Sequence, residues 1–547
     1  MTKPPSTNTK LNLLRISSIS LGVAAVAIGA LDEQSLAQSR DARDSLPVYQ
    51  ITSNGLSAKE ASIIKTGLRR FSGSRGRYSL QNDGRLSYIN YQSLIHGTKA
   101  GPPIESHGSS DKENLGKKSP SSTWDLQVLK ASRAPSPASL SQYLNKSLSG
   151  LSLGDNRTSY SSAFVRLQIS KPDSSRPVFS ANTGTTAERQ SFLGSIPLVG
   201  PGHSLDLWFG ADGSLGHLSA SLKQLKKTRN RVVTPQGKEA DLACAAAIDR
   251  KNKYQSRIVY YIALDAKKGD LVKPVLECKG SPVGGSLQRI QYVDATGKSP
   301  FVLNGTSNRK TADRGAKSGD GIGEFGSAYL GANARGPLVG ANGSAPNTNG
   351  FRASISRLWS SVINRVDSAP SSLFTGGSSA PVNNVDLMWY TGHANGTSWQ
   401  ANSGSTRASD VQLGQVDLEW LVIAACGPLQ EVVNGTPWNL RLGRMFEGMH
   451  QLLAYATVSN ADADEGRIFA NYARGRFFPG ITFRNFPIRL AWAIAATTVQ
   501  PSSVEWAVMG TISPDLSRGT VNDCLNCNLG DQYASRGTWV WRWSGNS

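Results

Sequence analysis

Two short apolar segments, each ending on a side chain capable of chemistry, constrain this chain more than any other feature. Residues 385–393 end on His393, and residues 418–427 end on Cys426 followed by a glycine. Each segment is too short to span a membrane and is flanked by turn residues, so each is predicted to be a buried strand. If the two strands are parallel neighbours, His393 and Cys426 emerge at the same carboxyl edge, where open α/β sheets place their chemistry.

A histidine beside a cysteine at such an edge is a base beside a nucleophile. The thiolate is the reactive form of cysteine, and a nearby imidazolium lowers the thiol pKa. His393 can then act as general base and as general acid toward a leaving amine. The backbone N–H groups of Ala394 and Gly427 are the candidate oxyanion donors. The alternative interpretation is that Cys426 is an inert packing residue, since free cysteine packs as a small hydrophobe.

Charge and length set the broad class. The 547 residues suffice for two to four domains. The net charge of +20 suits nucleic-acid binding, but the basic residues are scattered except at 223–231, which we interpret as a solvated helix face. Zinc-finger spacing and aromatic-basic RNA motifs are absent from the sequence. We therefore expect no nucleic-acid partner, and a basic exterior that serves solubility or attachment to acidic polymers outside the cell.

The N-terminus predicts export. Residues 1–37 have a positively charged start, an apolar centre at 16–31 and small residues at 35–37, which is the layout of a secretory signal peptide. A membrane anchor is the alternative, but the apolar stretch is shorter than the ~20 residues that a span needs. We expect a secreted or periplasmic monomer that does not contact the membrane after cleavage.

The five cysteines fit an oxidising compartment. Cys244 and Cys278 lie in one predicted subdomain and can pair. Cys524 and Cys527 form a C-x-x-C pair, for which a local disulfide is the favoured interpretation and thiol–disulfide exchange an alternative. Cys426 is left over as a candidate reactive thiol.

The organisation of the chain is predicted from composition and periodicity. Residues 351–547 alternate strands and helices, which predicts an α/β domain with a largely parallel sheet. The Ser-rich stretch 97–150 is expected to be mainly a surface loop or insertion. The predicted divisions are a signal peptide (1–37), an N-terminal α+β segment (38–150), an α+β domain resembling the propeptides of secreted bacterial hydrolases (151–300), a Gly/Ser/Asn-rich linker (301–350) and the α/β domain (351–547).

An apolar strand ending in Gly392-His393, followed by one ending in Ala425-Cys426, resembles the caspase-like cysteine peptidases, the superfamily of caspases, legumains, clostripains, separases and gingipains. In that superfamily the histidine segment precedes the cysteine segment on adjacent parallel strands, and the pair hydrolyses peptide bonds. The resemblance implies a caspase-like α/β/α sandwich, a protein or peptide substrate and no cofactor. Residues 320–545 also resemble an uncharacterised family of secreted bacterial proteins.

Acidic residues follow the next predicted strand and are expected at the same edge: Asp462, Asp464 and Glu465. They would select a basic substrate side chain or offer oxygen ligands to Ca²⁺; the alternative is that they suit a helix N-terminus. Asp386 and Asp417 stand at strand starts, away from the dyad. No histidine spacing predicts a metal site, and His450 is expected to be a packing residue on a helix over 442–451.

Three functional hypotheses follow. The first is a secreted cysteine endopeptidase, with cleavage after basic residues as one option for its specificity. Its N-terminal domains would act as a propeptide released in the stretch 300–350, where basic residues offer autolytic sites: Arg309, Lys310, Arg314 and Lys317. The second is a catalytically inactive binding or surface protein with the same fold. Ala394 favours this hypothesis, because the superfamily usually has glycine at that position. The third is thiol–disulfide exchange through the C-x-x-C pair.

Overall fold

A computed structural model describes the chain apart from sixteen segments. These are 1–44, 106–117, 152, 154–156, 249–252, 282–288, 295–322, 331–343, 366–368, 402–403, 461, 479–480, 484, 528, 530–531 and 534–536. The predicted signal peptide and the four basic sites between 309 and 317 lie outside the described residues. In the described part, no helix is long and apolar enough to cross a membrane.

The N-terminal part of the chain is built of short strands and helices. In order they are β1 (Ser45–Ile51), α1 (Ala58–Gly67), β2 (Arg77–Leu80), β3 (Leu86–Ile89), α2 (Tyr91–Leu94), β4 (Thr98–Glu105), β5 (Lys118–Trp124), α3 (Leu126–Lys130) and α4 (Pro137–Ser147). The predicted capping box begins α1: the Glu60 N–H donates to Ser57 Oγ, and the Ser57 N–H donates to Glu60 Oε2 at 2.7 Å. This satisfies two of the amide groups that a helix start leaves open.

The middle of the chain is mostly strands. They are β6 (Arg157–Ser170), β7 (Phe179–Leu193), β8 (Ile196–Val199), β9 (Ser204–Gly210), β10 (Leu215–Ser221), β11 (Leu225–Val233), then α5 (Lys238–Ile248), β12 (Lys253–Tyr261), β13 (Leu271–Val272), β14 (Pro274–Ser281) and β15 (Arg289–Asp294). β9 and β10 pair as the predicted hairpin. Both predicted disulfides are present: Cys244–Cys278 joins α5 to β14, and Cys524–Cys527 closes a local loop.

The C-terminal part alternates strands and helices, as predicted. The elements are β16 (Glu324–Tyr329), α6 (Ser344–Ile355), β17 (Ser360–Arg365), β18 (Leu387–Thr391), β19 (Ser398–Ala401), β20 (Gly404–Arg407), β21 (Trp420–Ala424), β22 (Val432–Val433), β23 (Thr436–Pro437), α7 (Trp438–Leu442), β24 (Glu447–Gly448), β25 (Gln451–Tyr455), α8 (Glu465–Ala473), β26 (Arg476–Phe478), β27 (Ile481–Thr482), α9 (Ile488–Val499), β28 (Glu505–Ile512), β29 (Gln532–Tyr533) and β30 (Trp539–Asn546). Short 3₁₀ turns connect several of them.

One mixed sheet organises these elements. Its order is β17-β16-β18-β21-β25-β28-β30: the first five strands are parallel to one another, β28 is antiparallel to β25, and β30 is antiparallel to β28. A mixed α/β fold is therefore present. Residues alternate between two buried clusters along β18 and β21: Trp389 and Val422 face the side that α6, α8 and α9 cover, while Tyr390 and Ile423 face the other. Burial on both faces explains why these strands are apolar up to Thr391, whose hydroxyl oxygen accepts the Trp389 Nε1–H at 2.8 Å.

The sheet continues into the N-terminal half. β30 pairs with β6, β6 pairs with β7, and β7 pairs on its other side with both β9 and β8. The part from Ser45 to Ser547 forms one compact unit. The proposed sequence divisions stay a prediction, and strand pairs cross them.

Four segments differ from expectation. The stretch 97–150 contains β4, β5, α3 and α4 rather than mainly loop, and the basic stretch 223–231 lies largely on strand β11, paired with β1, rather than on a helix. Within the expected linker, β16 pairs with β17 and β18 in the sheet. The predicted helix over 442–451 is wrong, since α7 ends at Leu442 and His450 directly precedes β25.

We expect Trp543→Ala to lower the free energy of unfolding by about 3–5 kcal/mol, as truncation of a buried tryptophan does. Trp543 lies 5.2 Å from the Trp208 ring and 4.7 Å from the Trp506 ring, and its Nε1 donates to Thr183 Oγ1 at 2.8 Å. Urea unfolding followed by circular dichroism measures the change. Leu242→Ala is the control because Leu242 is 71% exposed. Equal stability of the two variants would contradict the packing described.

Candidate active site

The register between β18 and β21 places His393 and Cys426 at equal distances along the chain from one paired position. β18 and β21 are parallel neighbours, as predicted, and Thr391 pairs with Ala424 at their carboxyl ends. His393 and Cys426 each follow that pair by two residues. Adjacent strands lie about 4.8 Å apart, so the backbones that carry the two side chains leave the sheet side by side.

A tight hairpin follows His393. The Gln400 N–H donates to His393 O at 2.8 Å, and the Asn395 N–H donates to Ser398 O at 2.8 Å. Asn395 Oδ1 accepts the Ser398 N–H at 2.9 Å. Tyr390 Oη donates to Gln400 O at 2.5 Å, which fixes the hairpin to β18. The His393 residue is 7% exposed, so it is held in a nearly closed environment.

A sharp turn presents Cys426 at the end of β21. The Ala425 N–H donates to Ile423 O at 2.8 Å, and Gly427 has a positive φ of 76°. The thiol is partly buried and, in the described part of the chain, is not part of a disulfide. Its Sγ accepts the Ser459 N–H at 3.4 Å and lies 3.5 Å from Ser459 O. Ser459 follows β25, so three successive parallel strands contribute to this edge.

The two proposed oxyanion donors stand in different backbone conformations. In the described residues, the non-glycine positions with positive φ are Asn434, Asn485 and Leu516. Ala394 is not among them, so alanine there carries no left-handed strain. Gly427 does need its conformation, and a Cβ at this position would lie 2.4 Å from Gln430 Nε2.

Arg441, on α7, is a site residue that sequence reasoning missed. Its guanidinium donates to Gly396 O in the hairpin after His393 and to Gln430 O in the loop after Cys426. It also lies 3.5 Å from Pro428 O and 3.3 Å from Thr436 O. Because its partners are backbone carbonyls, no residue pattern in the sequence signals the contact.

The acidic residues after β25 accept hydrogen bonds from other groups of the protein. Asp462 Oδ1 accepts the Asp464 N–H at 2.8 Å, and burial, followed by the charge of Asp464, raises the pKa of Asp462 to about 7. Asp464 accepts Arg467 Nε at 2.9 Å. Glu465 accepts Asn347 Nδ2 at 2.9 Å and the Tyr455 hydroxyl. Asp464 is the N-cap of α8 and Glu465 is in its first turn; roles in substrate selection or Ca²⁺ binding stay predictions.

Strands of the N-terminal half lie against the cysteine. We call β12, β14 and β15 the cap. Cap residues Val259, Tyr261, Val275 and Tyr292 form a buried cluster with Val458, and Cys426 packs against this cluster. Asn460 Nδ2 donates to Tyr292 Oη at 3.4 Å. The cap therefore restricts access to the thiol.

The acids at the starts of the two strands lie at the opposite edge of the sheet. Asp386 immediately precedes β18, and its Oδ2 accepts the Glu324 N–H at 2.6 Å. Burial, followed by the charge of Asp417, raises the pKa of Asp386 to about 7. The length of the strands separates these acids from the dyad.

A second titratable cluster lies at that opposite edge. His450 Nδ1 and Asp523 Oδ2 are 2.8 Å apart, and both side chains are fully buried. The Cys524 N–H donates to Asp523 Oδ1 at 2.8 Å. One candidate ligand atom each from Glu419, His450 and Asp523 lies within 4.8 Å of the others, the one such group among the residues described. Three distant segments supply it, so no sequence spacing could indicate it.

We expect Glu465→Gln to flatten the decline in stability with rising pH. Burial raises the pKa of Glu465 from 4.5 to about 8, so the native state keeps a proton that the unfolded chain loses. The wild type therefore loses stability as pH rises from about 4.5 to about 8, whereas glutamine does not ionise. Melting temperatures at pH 5, 7 and 9 measure this, and parallel wild-type and variant curves would contradict it.

We expect Gly427→Ala and Gly435→Ala each to cost about 1 kcal/mol or more of stability, because both positions have positive φ. The space around Gly435 is open, while the Cβ at Gly427 meets Gln430. Only Gly427→Ala should change the rate at which iodoacetamide alkylates Cys426. Unchanged alkylation in Gly427→Ala would show that the turn does not set the thiol's environment.

The C-terminal part of the chain is similar to proteins whose activity is unknown. Residues 348–545 match the family described as Domain of unknown function (DUF6345). None of the curated proteins matches the chain. A solved structure of an uncharacterized protein from Eubacterium rectale is similar at 11% identity and a TM-score of 0.25, covering 48% of this chain and 87% of that one. The region that carries the His393 and Cys426 strands is thus the region similar to the DUF6345 family.

Proposed function

We propose that this chain is a secreted cysteine endopeptidase whose C-terminal part has a caspase-like fold. The shared register of β18 and β21 carries the proposal, since it sets His393 and Cys426 at equal offsets beyond one paired position. The order along the chain, histidine strand first and cysteine strand second, supports it. The helices α6, α8 and α9 on one face of the mixed sheet support the α/β part of the assignment.

In this proposal the reaction runs through a thioester. The Cys426 thiolate attacks the scissile carbonyl carbon, and the C–N bond then breaks while protonated His393 gives its proton to the leaving amine. Neutral His393 next takes a proton from water, whose oxygen attacks the thioester. The C–S bond breaks, the acid product leaves, and the thiolate and the imidazolium are restored. Backbone N–H groups after the two residues would stabilise the oxyanion in both steps.

Charged side chains near the proposed site would influence the specificity of the proposed peptidase. A cavity of about 480 Å³ lies beside Asp464 and Arg467. Acidic and basic side chains both line it, among them Asp83, Asp265 and Lys223. Cleavage after basic residues remains one option within the proposal, to be tested with substrates that differ at that residue.

The N-terminal half has a propeptide-like role in this proposal, but its attachment argues against simple release. Residues 540–544 of β30 pair with 166–170 of β6 inside the main sheet. A cut between 300 and 350 leaves that ladder and the packing around Trp543 intact. Exposure of Cys426 would then follow from local displacement of the cap, not from loss of the whole N-terminal half.

We expect the two halves to stay associated after cleavage between 300 and 350. Limited proteolysis followed by size-exclusion chromatography should give one peak of unchanged size, from which denaturing gels and mass spectrometry recover both fragments. The intact chain in the same buffer is the control. Separation of the fragments without denaturant would contradict the role assigned to the β6–β30 ladder.

A catalytically inactive binding protein is the second candidate. The observation in its favour is that His393 is 7% exposed and that cap residues pack against Cys426. The two candidates differ in a measurable way, because only the peptidase needs the imidazole to activate the thiol.

Peptide hydrolysis tests the proposal. Fluorogenic peptides with lysine, arginine, aspartate or alanine before the cleaved bond are incubated with the mature chain before and after limited proteolysis. Cys426→Ser and His393→Ala should each lower the rate by at least about 100-fold, while His96→Ala, a substitution of an exposed histidine, leaves it unchanged. Hydrolysis that survives Cys426→Ser, or no hydrolysis under any condition, would overturn the peptidase proposal.

A further inference from the structure

We propose that Arg441 is the positioning residue that holds His393 and Cys426 in register beyond the end of the sheet. This inference rests on the proposed His393–Cys426 dyad. Arg441 is not part of that dyad, and no pattern in the sequence indicates its role. Arg441 contacts both loops that leave the active edge, at Gly396 on one side and at Pro428 and Gln430 on the other.

The need for such a residue follows from where the ladder stops. Backbone pairing between β18 and β21 ends at Thr391 and Ala424. His393 and Cys426 stand beyond it, one at the start of a hairpin and the other in a sharp turn. Interstrand hydrogen bonds therefore fix their starting points, and contacts between the loops must fix the rest.

Arginine suits this role better than any other side chain. Its guanidinium has five N–H donors in a rigid plane, so one group can bind several carbonyls at set angles. Nε donates to Thr436 O at 3.3 Å while the two terminal nitrogens bind the carbonyls of the two loops. Burial, followed by the charge of Arg542, lowers the pKa of Arg441 to about 10, so the side chain remains a cation at neutral pH.

The loops are already in contact where Arg441 joins them. A Cβ at Gly396 would lie 2.2 Å from Val433 Cγ2, so the hairpin after His393 lies directly on the loop after Cys426. The guanidinium thus locks a close-packed arrangement and does not bridge a gap.

The helix that carries Arg441 is itself anchored from the N-terminal half. Trp438 Nε1 donates to Gln168 Oε1 at 3.0 Å, and Asn439 Nδ2 donates to Lys171 O at 2.7 Å. Gln168 lies on β6, the strand that pairs with β30. The position of the guanidinium is therefore set from both parts of the chain.

The test is the pH profile of Cys426 alkylation by iodoacetamide in the mature full-length chain. We compare the wild type with Arg441→Ala, Arg441→Lys and His393→Ala. Arg444→Ala is the matched control, since Arg444 lies three residues further along and is exposed. Melting temperatures of all variants confirm that each is folded at the assay temperature.

We expect a wild-type midpoint below the value of about 8.5 for a free thiol. Arg441→Ala should move the midpoint toward that value by about one pH unit, which lowers the alkylation rate at pH 6 about tenfold. Arg441→Lys keeps the positive charge but loses the planar set of N–H donors, so it should show an intermediate midpoint. Arg444→Ala should match the wild type.

Two results would overturn the inference, and they are distinguishable. If His393→Ala moves the midpoint while both Arg441 variants keep the wild-type profile, the dyad stands and Arg441 does not position it. If His393→Ala leaves the midpoint unchanged, the dyad fails, and the role given to Arg441 fails with it. Arg441→Lys keeps the test decisive if Arg441→Ala does not fold.

Discussion

The parallel pairing of β18 with β21 is the constraint on which the rest of the account depends. Because parallel strands end at the same edge of a sheet, the ladder that ends at Thr391 and Ala424 brings the backbone positions of His393 and Cys426 to one edge. Ser459, after the third parallel strand β25, contacts the Cys426 sulfur through its N–H. In the proposed peptidase, strand order brings the two residues to one edge, and the Arg441 contacts to both loops set their positions beyond the ladder.

The ladder between β30 and β6 makes the two halves of the chain one structure. It extends the C-terminal sheet into the N-terminal half, and the rings of Trp208, Trp506 and Trp543 pack across the junction. The cap that covers Cys426 belongs to that N-terminal half. Among the described residues, its contacts with the C-terminal part include an apolar cluster with Val458 and Cys426 and the hydrogen bond from Asn460 to Tyr292.

The sequence predicts the parts of this fold that local physics controls. The β18 and β21 segments are predictable because burial on both faces leaves only apolar residues, and the start of α1 is predictable because its cap is made by Ser57 and Glu60 three residues apart. The Ser-rich strand β5 was not predicted because its buried hydroxyl groups bond to backbone carbonyls of other segments. Ser121 donates to Pro102 O, and Thr123 donates to Leu516 O. Such partners leave no periodic signal.

Long-range partners explain the other misses. The basic stretch 225–233 is a strand because β1 pairs with it, which outweighs its local pattern. His450 lies outside a helix, and its Nδ1 is 2.8 Å from Oδ2 of Asp523, a residue 73 positions away. Arg441 binds carbonyl oxygens, which every residue possesses, so its role is invisible until the loops are placed. In the candidate site, the parallel strands that carry His393 and Cys426 were predictable, and the Arg441 contacts to the loops after them were not.

The ultraviolet absorbance of the thiolate as a function of pH tests whether His393 activates Cys426. Four of the five cysteines are paired, so the difference between the wild type and Cys426→Ser reports one thiol and needs no reagent to pass the cap. The account predicts a titration midpoint below about 8.5 that returns to the free-thiol value in His393→Ala. A midpoint at or above 8.5 in both proteins would contradict the dyad and leave Cys426 as a packing residue.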